Sequence, residues 1–307
     1  MSDVVNLNTL ICNPVTGVCE VPEPESGVCD SGVLAKNKPI RIIYYTDPIC
    51  SACWGIEPQL RKLKLEYGDY YEIEYKMGGL LPSWECYNDE ELGKPADIAH
   101  HWEEAGSYYG MPIDGDIWLE DPLSSSYPPS IAFKAAQMQD EEKALRFFRR
   151  MKEMVFLLKK NISKWEWIEK AAEEAELDLV QLNKDFEGDA QQLFEEDLKS
   201  GKQMNVRGFP TLFFTDKEGN RLVLFGVRPY WEFEETLHAL CPQAVKHPVT
   251  KTHEGLFDFY PSLTTHEFAV ITDRHDNDAL EILNELHKLK YIEKCLSKRG
   301  ALWIKKN

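Results

Sequence analysis

The residues whose type and spacing most directly suggest chemistry are Cys50 and Cys53, separated by Ser51 and Ala52 in the stretch Asp47-Pro48-Ile49-Cys50-Ser51-Ala52-Cys53-Trp54. Three kinds of chemistry compete for such a pair. Zinc needs four ligands, commonly from two such pairs, and the chain contains no second C-x-x-C. Cysteines are also often inert, small buried residues. The third reading is a redox dithiol, and it fits a C-x-x-C in a β/α context best. In that reading Cys50, at the first turn of a helix, has its thiolate favoured by free backbone N–H groups and the helix dipole. Cys53, one turn further on, is spaced to resolve a mixed disulfide formed at Cys50.

The elements that must position the pair follow from local pattern. Ile40 to Asp47 is β-branched and aromatic, bounded by Pro39 and Pro48, and predicts a buried strand. From Trp54, apolar residues at Ile56, Leu60, Leu63 and Tyr67 predict an amphipathic helix that closes at Gly68 and is bent by Pro58. Tyr71 to Gly79 alternates as a second strand. Helices are predicted at 95–109, 128–139, 141–160, 164–176, 179–186 and 190–199, then strands at 211–215 and 222–225 and a helix at 230–240. Phe147, Phe148, Met151, Met154 and Phe156 share one wide helix face and read as core. The order is that of an α/β fold with a large helical insertion. Helices at 266–272 and 278–289 and a terminal hairpin predict a small C-terminal α+β unit compatible with a winged-helix shape. The expected units are an irregular, cysteine-containing leader (1–38), a core (39–94 and 201–241), an inserted helical domain (95–200) and a C-terminal domain (250–307).

The strand, DPICSACW, the proline five residues after Cys53, the helical insertion and VRGFPTLFF (Val206 to Phe214) together resemble the DsbA family of the thioredoxin superfamily over about residues 39–241. The resemblance implies a thioredoxin-like core in which Pro210, preceded by Phe209, is cis and faces the dithiol. On that resemblance Cys50, Cys53 and Pro210 are the catalytic candidates, and Phe209, Thr211, Asp47 and Trp54 are the candidates for substrate binding or tuning. Two branches are similar: cytosolic FrnE-like dithiol oxidoreductases, and the YjbH/SpxH adaptor family, whose active-site pattern matches more specifically. The dipeptide Ser51-Ala52 lacks a histidine between the thiols, so a strong oxidase is not implied.

For the neighbours of the pair, a plain structural role stands beside each functional one. Asp47 reads first as a turn residue holding the backbone before the helix, and second as a carboxylate moving the proton of Cys53. Glu57 reads first as a solvated acid on the helix, and second as a lining residue. Trp54 is expected to pack beside the sulfur-bearing turn. Asp121 to Ala136, with Pro128, Pro129 and Ser130, reads equally as ordinary helix initiation and as a roof over the dithiol. Cys12, Cys19 and Cys29 in the leader read as free or disulfide-switching thiols, and Cys86, Cys241 and Cys295 as isolated small residues.

Composition narrows the partners. Among 307 residues, 52 Asp/Glu against 35 Lys/Arg give a net charge of -17, which argues against a nucleic-acid ligand. Residues 251–307 are balanced, with nine basic and nine acidic residues, so the excess lies in the rest of the chain. A DNA-binding tail therefore has little support. No basic segment leads into an apolar stretch near the start, and no run suits a membrane span, so a cytoplasmic location with reduced cysteines is expected. The leading expectation is a cytosolic thiol-disulfide oxidoreductase or isomerase acting on protein or small-molecule disulfides, with no cofactor and no metal. The alternative is a non-catalytic protease adaptor with a redox-sensing dithiol and a protein partner.

Overall fold

The structure is a computed structural model that describes residues 12–13, 18–20, 38–84, 94–248 and 253–306. It opens with two short strands, β1 (Cys12–Asn13) and β2 (Val18–Glu20), followed by β3 (Ile40–Thr46). Then come α1 (Ser51–Gly55), α2 (Glu57–Tyr67) and β4 (Tyr71–Met77). The insertion consists of α3 (Pro95–Tyr109), α4 (Ile117–Glu120), α5 (Tyr127–Gln139), α6 (Glu141–Leu157), α7 (Trp165–Glu174), α8 (Leu179–Glu187) and α9 (Asp189–Gln203). Strands β5 (Gly208–Phe209), β6 (Thr211–Asp216) and β7 (Arg221–Phe225) lead to α10 (Tyr230–Leu240). The chain ends in α11 (His253–Phe259), β8 (Ser262–Thr264), α12 (Thr265–Thr272), α13 (Asp276–Lys288), β9 (Ile292–Ser297) and β10 (Gly300–Lys305).

The apolar run at β3 becomes an inner strand of a four-stranded sheet ordered β4-β3-β6-β7, parallel to β4 and antiparallel to β6. Its side chains alternate between two cores, as a strand's period of two requires. Ile40, Ile42 and Tyr44 pack with Ile56, Leu60 and Leu63 from the dithiol arm, and with Phe233 and Leu237 of α10. Tyr45 faces the opposite core, where Cys50, Cys53 and Trp54 join Trp102 of α3, Phe133 of α5 and Phe147, Met151 and Phe156 of α6. The insertion and the dithiol therefore share one hydrophobic core. The Phe and Met residues of α6 belong to that core, as their spacing predicts.

Three differences from the local pattern have clear causes. Pro58 does not bend a continuous helix: the chain breaks at Ile56, and Pro58 falls in the first turn of α2, where its missing N–H is tolerated. The stretch expected to be an irregular leader contains β1 and β2, which pair antiparallel with each other and, through β2, with β5. One-turn α4, along with α11 and β8, is too short for periodicity to signal.

The C-terminal elements run helix, strand, helix, helix, strand, strand, with a sheet ordered β8-β10-β9. That is a winged-helix arrangement, and it has its own core of Leu263, Phe268, Ile271, Leu283 and Trp303. A capping box begins α12: Thr264 Oγ1 accepts from the Glu267 N–H at 3.1 Å, and Glu267 Oε2 accepts from the Thr264 N–H at 2.7 Å.

Candidate functional site

Cys50 is the N-cap of α1, and its Sγ accepts the N–H of Cys53 at 3.2 Å. Opposite it, the Phe209-Pro210 peptide is cis. The Cys50 thiol donates to the Phe209 carbonyl at 3.8 Å, so the dithiol turn and the proline loop are joined at one sulfur. Thr211 does not turn toward the sulfurs: its hydroxyl donates to the Gly208 carbonyl at 2.7 Å and braces the loop. The Phe209 ring lies on Gly78, where an added Cβ would come within 1.8 Å of Phe209 Cζ, so the loop's seat requires a residue without a side chain.

Neither cysteine is exposed to solvent. Burial pushes the Cys50 thiol well above its ordinary value, and the hydrogen bond it shares with Cys53 acts in the same direction. Burial acts upward on Cys53 too, but the hydrogen bond from Cys50 and the ammonium of Lys152 outweigh it, and the net direction is down. Thr46 and Tyr44 hydroxyls beside Cys53 add to the lowering, although neither makes a hydrogen bond of normal length. The helix end was expected to make Cys50 the more acidic sulfur. The structure assigns that character to Cys53: both sulfurs are equally buried, and it is the Cys53 thiolate that the Cys50 hydrogen bond and the Lys152 ammonium favour.

Asp47 is fully buried and serves as the turn residue: its Oδ1 accepts the Ile49 N–H at 3.0 Å. Its Oδ2 accepts the Leu80 N–H at 2.7 Å and the Ser126 hydroxyl at 2.8 Å. Burial raises its pKa to about 6 against the pull of those hydrogen bonds. Trp54 is a core tie: its indole N–H donates to the Pro112 carbonyl at 3.0 Å, its ring stacks on Phe156, and the Arg149 guanidinium lies 4.4 Å over it. In the 121–136 stretch it is Ser126 that reaches the dithiol turn; Ser130 donates to the Ser126 carbonyl at 2.8 Å and stays within its own helix.

Glu57 is not the solvated acid expected from its helical position. It receives Lys152 Nζ at 2.8 Å and lies 3.7 Å from both Arg61 and Arg149. These cations outweigh burial and hold its carboxyl below the usual range. Lys152 is itself fully buried and is a residue of the candidate site that sequence reasoning missed. The available signal was its place on α6, four residues after Phe148 and next to Met151, on the face that must enter the core. Cys241 is buried in the core on the other face of the sheet, and Cys295, partly buried, packs against the core that holds the dithiol, while Cys29 and Cys86 lie outside the described residues.

A C-x-x-C at the start of a helix, joined at its first sulfur to a cis-proline loop beside a β4-β3-β6-β7 sheet, defines a thioredoxin-fold protein. Residues 44–235 match the family model described as thioredoxin. The cytosolic disulfide reductase DsbM from Pseudomonas aeruginosa shares the fold, with a TM-score of 0.53 at 19% identity over 66% of this chain and 98% of that one. A relative from Halalkalibacterium halodurans named ClpXP adapter protein SpxH is 32% identical over 303 residues, 96% of this chain and 97% of the relative. The Bacillus subtilis protein of the same name is 31% identical over 272 residues, 87% of this chain and 89% of its own. The chain thus belongs to the SpxH family of thioredoxin-fold proteins, one of the two branches that the DPICSACW stretch resembles. No helix among the described residues is long and apolar enough to cross a membrane.

Proposed function

We propose that the protein is a proteolytic adaptor that brings a client protein to a ClpXP-type protease, with the Cys50/Cys53 pair as its redox-sensing element. This reverses the order of the two readings drawn from the sequence. The observation that carries it is the extent of the likeness. The match to a named adapter protein spans 96% of the chain and takes in the C-terminal unit, which the thioredoxin match, ending at residue 235, leaves out. The state of the dithiol supports it as well: a sulfur sealed from solvent, with its proton held more tightly than usual, is a slow nucleophile for a turnover enzyme. Such a role belongs in the cytoplasm.

The second reading, a thiol-disulfide oxidoreductase, is favoured by the cis-proline loop beside Cys50. In it the Cys50 thiolate attacks a substrate disulfide and Cys53 resolves the mixed disulfide, while the Phe209-Pro210 edge, braced by Thr211, receives the substrate backbone.

One pair of measurements separates the two. Protein half-lives are measured by pulse-chase proteomics in cells with and without this protein, and in cells lacking the ClpX unfoldase. Insulin reduction is measured with the wild type and a Cys50→Ser/Cys53→Ser variant. The adaptor reading expects at least one protein whose half-life lengthens in both deletions, is restored by the double-serine variant under reducing conditions, and no insulin turnover above that variant. Insulin turnover by the wild type alone, with no shared change in half-lives, overturns it in favour of the enzyme.

A further inference from the structure

The short strands in the leader place two further cysteines in line with the dithiol. β1 and β2 pair antiparallel with Cys12 opposite Cys19 and Asn13 opposite Val18. β2 then pairs antiparallel with β5, with Cys19 opposite Phe209 and Glu20 opposite Gly208. Cys12, Cys19 and Phe209 are therefore successive register partners across one three-stranded sheet, ordered β1-β2-β5. Phe209 is the residue whose carbonyl accepts from Cys50 Sγ and whose peptide to Pro210 is cis. β2 also lies against α1, the helix that carries the dithiol.

Distances set by strand pairing make this register chemically meaningful. Directly opposed residues in an antiparallel pair have Cα atoms about 4.5–5.5 Å apart. A disulfide spans Cα separations of about 4.4–6.8 Å. The register thus sets the backbones at Cys12 and Cys19 at a separation a disulfide can span. β2 adds to the edge of β5 as an extended peptide does when it augments a sheet. Here the peptide is the chain's own, and it carries a cysteine opposite the residue before the cis-proline.

We propose that Cys12 and Cys19 form a second dithiol, and that it is the built-in exchange partner of Cys50/Cys53. A low-molecular-weight disulfide of the glutathione class first oxidises the core pair to the Cys50–Cys53 disulfide, taking up the two electrons itself. The Cys19 thiolate attacks Cys50 Sγ; the Cys19–Cys50 bond forms, the Cys50–Cys53 bond breaks, and Cys53 leaves as a thiolate beside the Lys152 ammonium. Cys12, as a thiolate, then attacks Cys19; the Cys12–Cys19 bond forms and Cys50 leaves with the electron pair and is protonated. Two electrons and two protons have passed from the leader pair to the core pair, and no further reactant is consumed. Because both partners are on one chain, the exchange outcompetes a dilute external thiol. The consequence is a redox state written on the leader strand rather than on the Cys50–Cys53 pair. The inference stands whether the protein is an adaptor or an enzyme, since it concerns only where the oxidising equivalent comes to rest.

The test uses the full-length chain. In a Cys12→Ser/Cys53→Ser variant treated with oxidised glutathione, the relay must stop at the Cys19–Cys50 disulfide. Trypsin and a glutamate-specific protease cut after Glu20, Arg41 and Arg61, Pro58 blocking cleavage after Glu57, so this bond joins one peptide ending at Glu20 to one spanning 42–61, and mass spectrometry identifies it directly. That cross-link is expected as the major disulfide of Cys50. In the wild type, one equivalent of oxidant is expected to leave Cys12–Cys19 oxidised and Cys50 and Cys53 open to alkylation after denaturation. In Cys19→Ser, whose leader alone is altered, the equivalent should remain on Cys50–Cys53. Persistent glutathionylation of Cys50 in the double variant, or a Cys50–Cys29 cross-link as abundant as Cys19–Cys50, overturns the proposal. So does a wild type whose oxidising equivalent rests on Cys50–Cys53 as it does in Cys19→Ser.

Discussion

Asp47 shows how one side chain can organise the neighbourhood of two others. Its two oxygens hold the Ile49 N–H, the Leu80 N–H and the Ser126 hydroxyl, tying the dithiol turn to the exit of β4 and the start of α5. Its pKa of about 6 in the folded chain exceeds the value of roughly 3.9 expected when unfolded. Between those values the folded state keeps a proton that the unfolded state releases. The stability this proton contributes is therefore fully present below pH ~4 and is lost as pH rises through ~6. A separation of about two pH units corresponds to about 3 kcal/mol. Asp47→Asn cannot titrate, so the unfolding free energy of the wild type minus that of the variant, from urea melts, should shrink by up to about 3 kcal/mol between pH 4 and pH 7. A constant difference over that range would mean the carboxyl is ionised throughout. The turn role of Asp47 was legible from Asp-Pro before a helix. Its bonds to Leu80 and Ser126 were not, because they depend on chain segments 33 and 79 residues away.

Close approach of backbones matters most at the level of elements. The exit of β4 meets the loop before β6 at Gly78, under the Phe209 ring, and α1 meets α3 at Gly55, where a Cβ would come within 2.7 Å of Tyr109 Cγ. In Gly78→Ala the added methyl displaces the ring, because the neighbouring packing leaves no room. The expected cost is about 1–3 kcal/mol. Since Phe209 also pairs with Cys19 and accepts from Cys50, the same change should loosen β2 and make Cys50 react faster with a maleimide. Destabilisation with unchanged Cys50 reactivity would show that the loop's seat and the cover of the dithiol are independent. Most helices here were readable from spacing and end signals, as with α3, which starts at Pro95 and closes at Gly110 with φ +68. The break at Ile56 was not, because Pro58 is equally compatible with a bent helix and with a new first turn. Tertiary packing made the choice.

Across the whole molecule, a buried charge network links the C-terminal unit to the dithiol arm. Arg149 on α6 reaches both oxygens of Glu267 on α12, at 2.8 and 3.0 Å, and also Glu153 at 2.8 Å and Glu57 at 3.7 Å, with its guanidinium over Trp54. Arg61 of α2 donates to the Ser262 carbonyl at 2.7 Å and lies over the Tyr260 ring. Glu267→Gln keeps the shape but removes a charge with no exposure to water, and the expected loss is about 3 kcal/mol. Hydrogen exchange should then accelerate in α12 and α13 more than in β3 and β6; equal acceleration would mean the unit unfolds only with the rest. At the surface, Lys298 pairs with Glu103 and Asp116, and Lys305 with Asp258. The sequence by itself determined the dithiol, the order of elements, the inserted helices and the family. Each of these is written in local spacing: which residues recur on one face, and where Pro, Gly and capping residues interrupt them. Only the tertiary structure decided that the dithiol is sealed, that Lys152 and Glu57 meet beside it, and that a leader strand pairs with β5. Periodicity states which face of an element is apolar, whereas the partner of that face and the register of a distant strand are settled by packing among segments far apart in the chain.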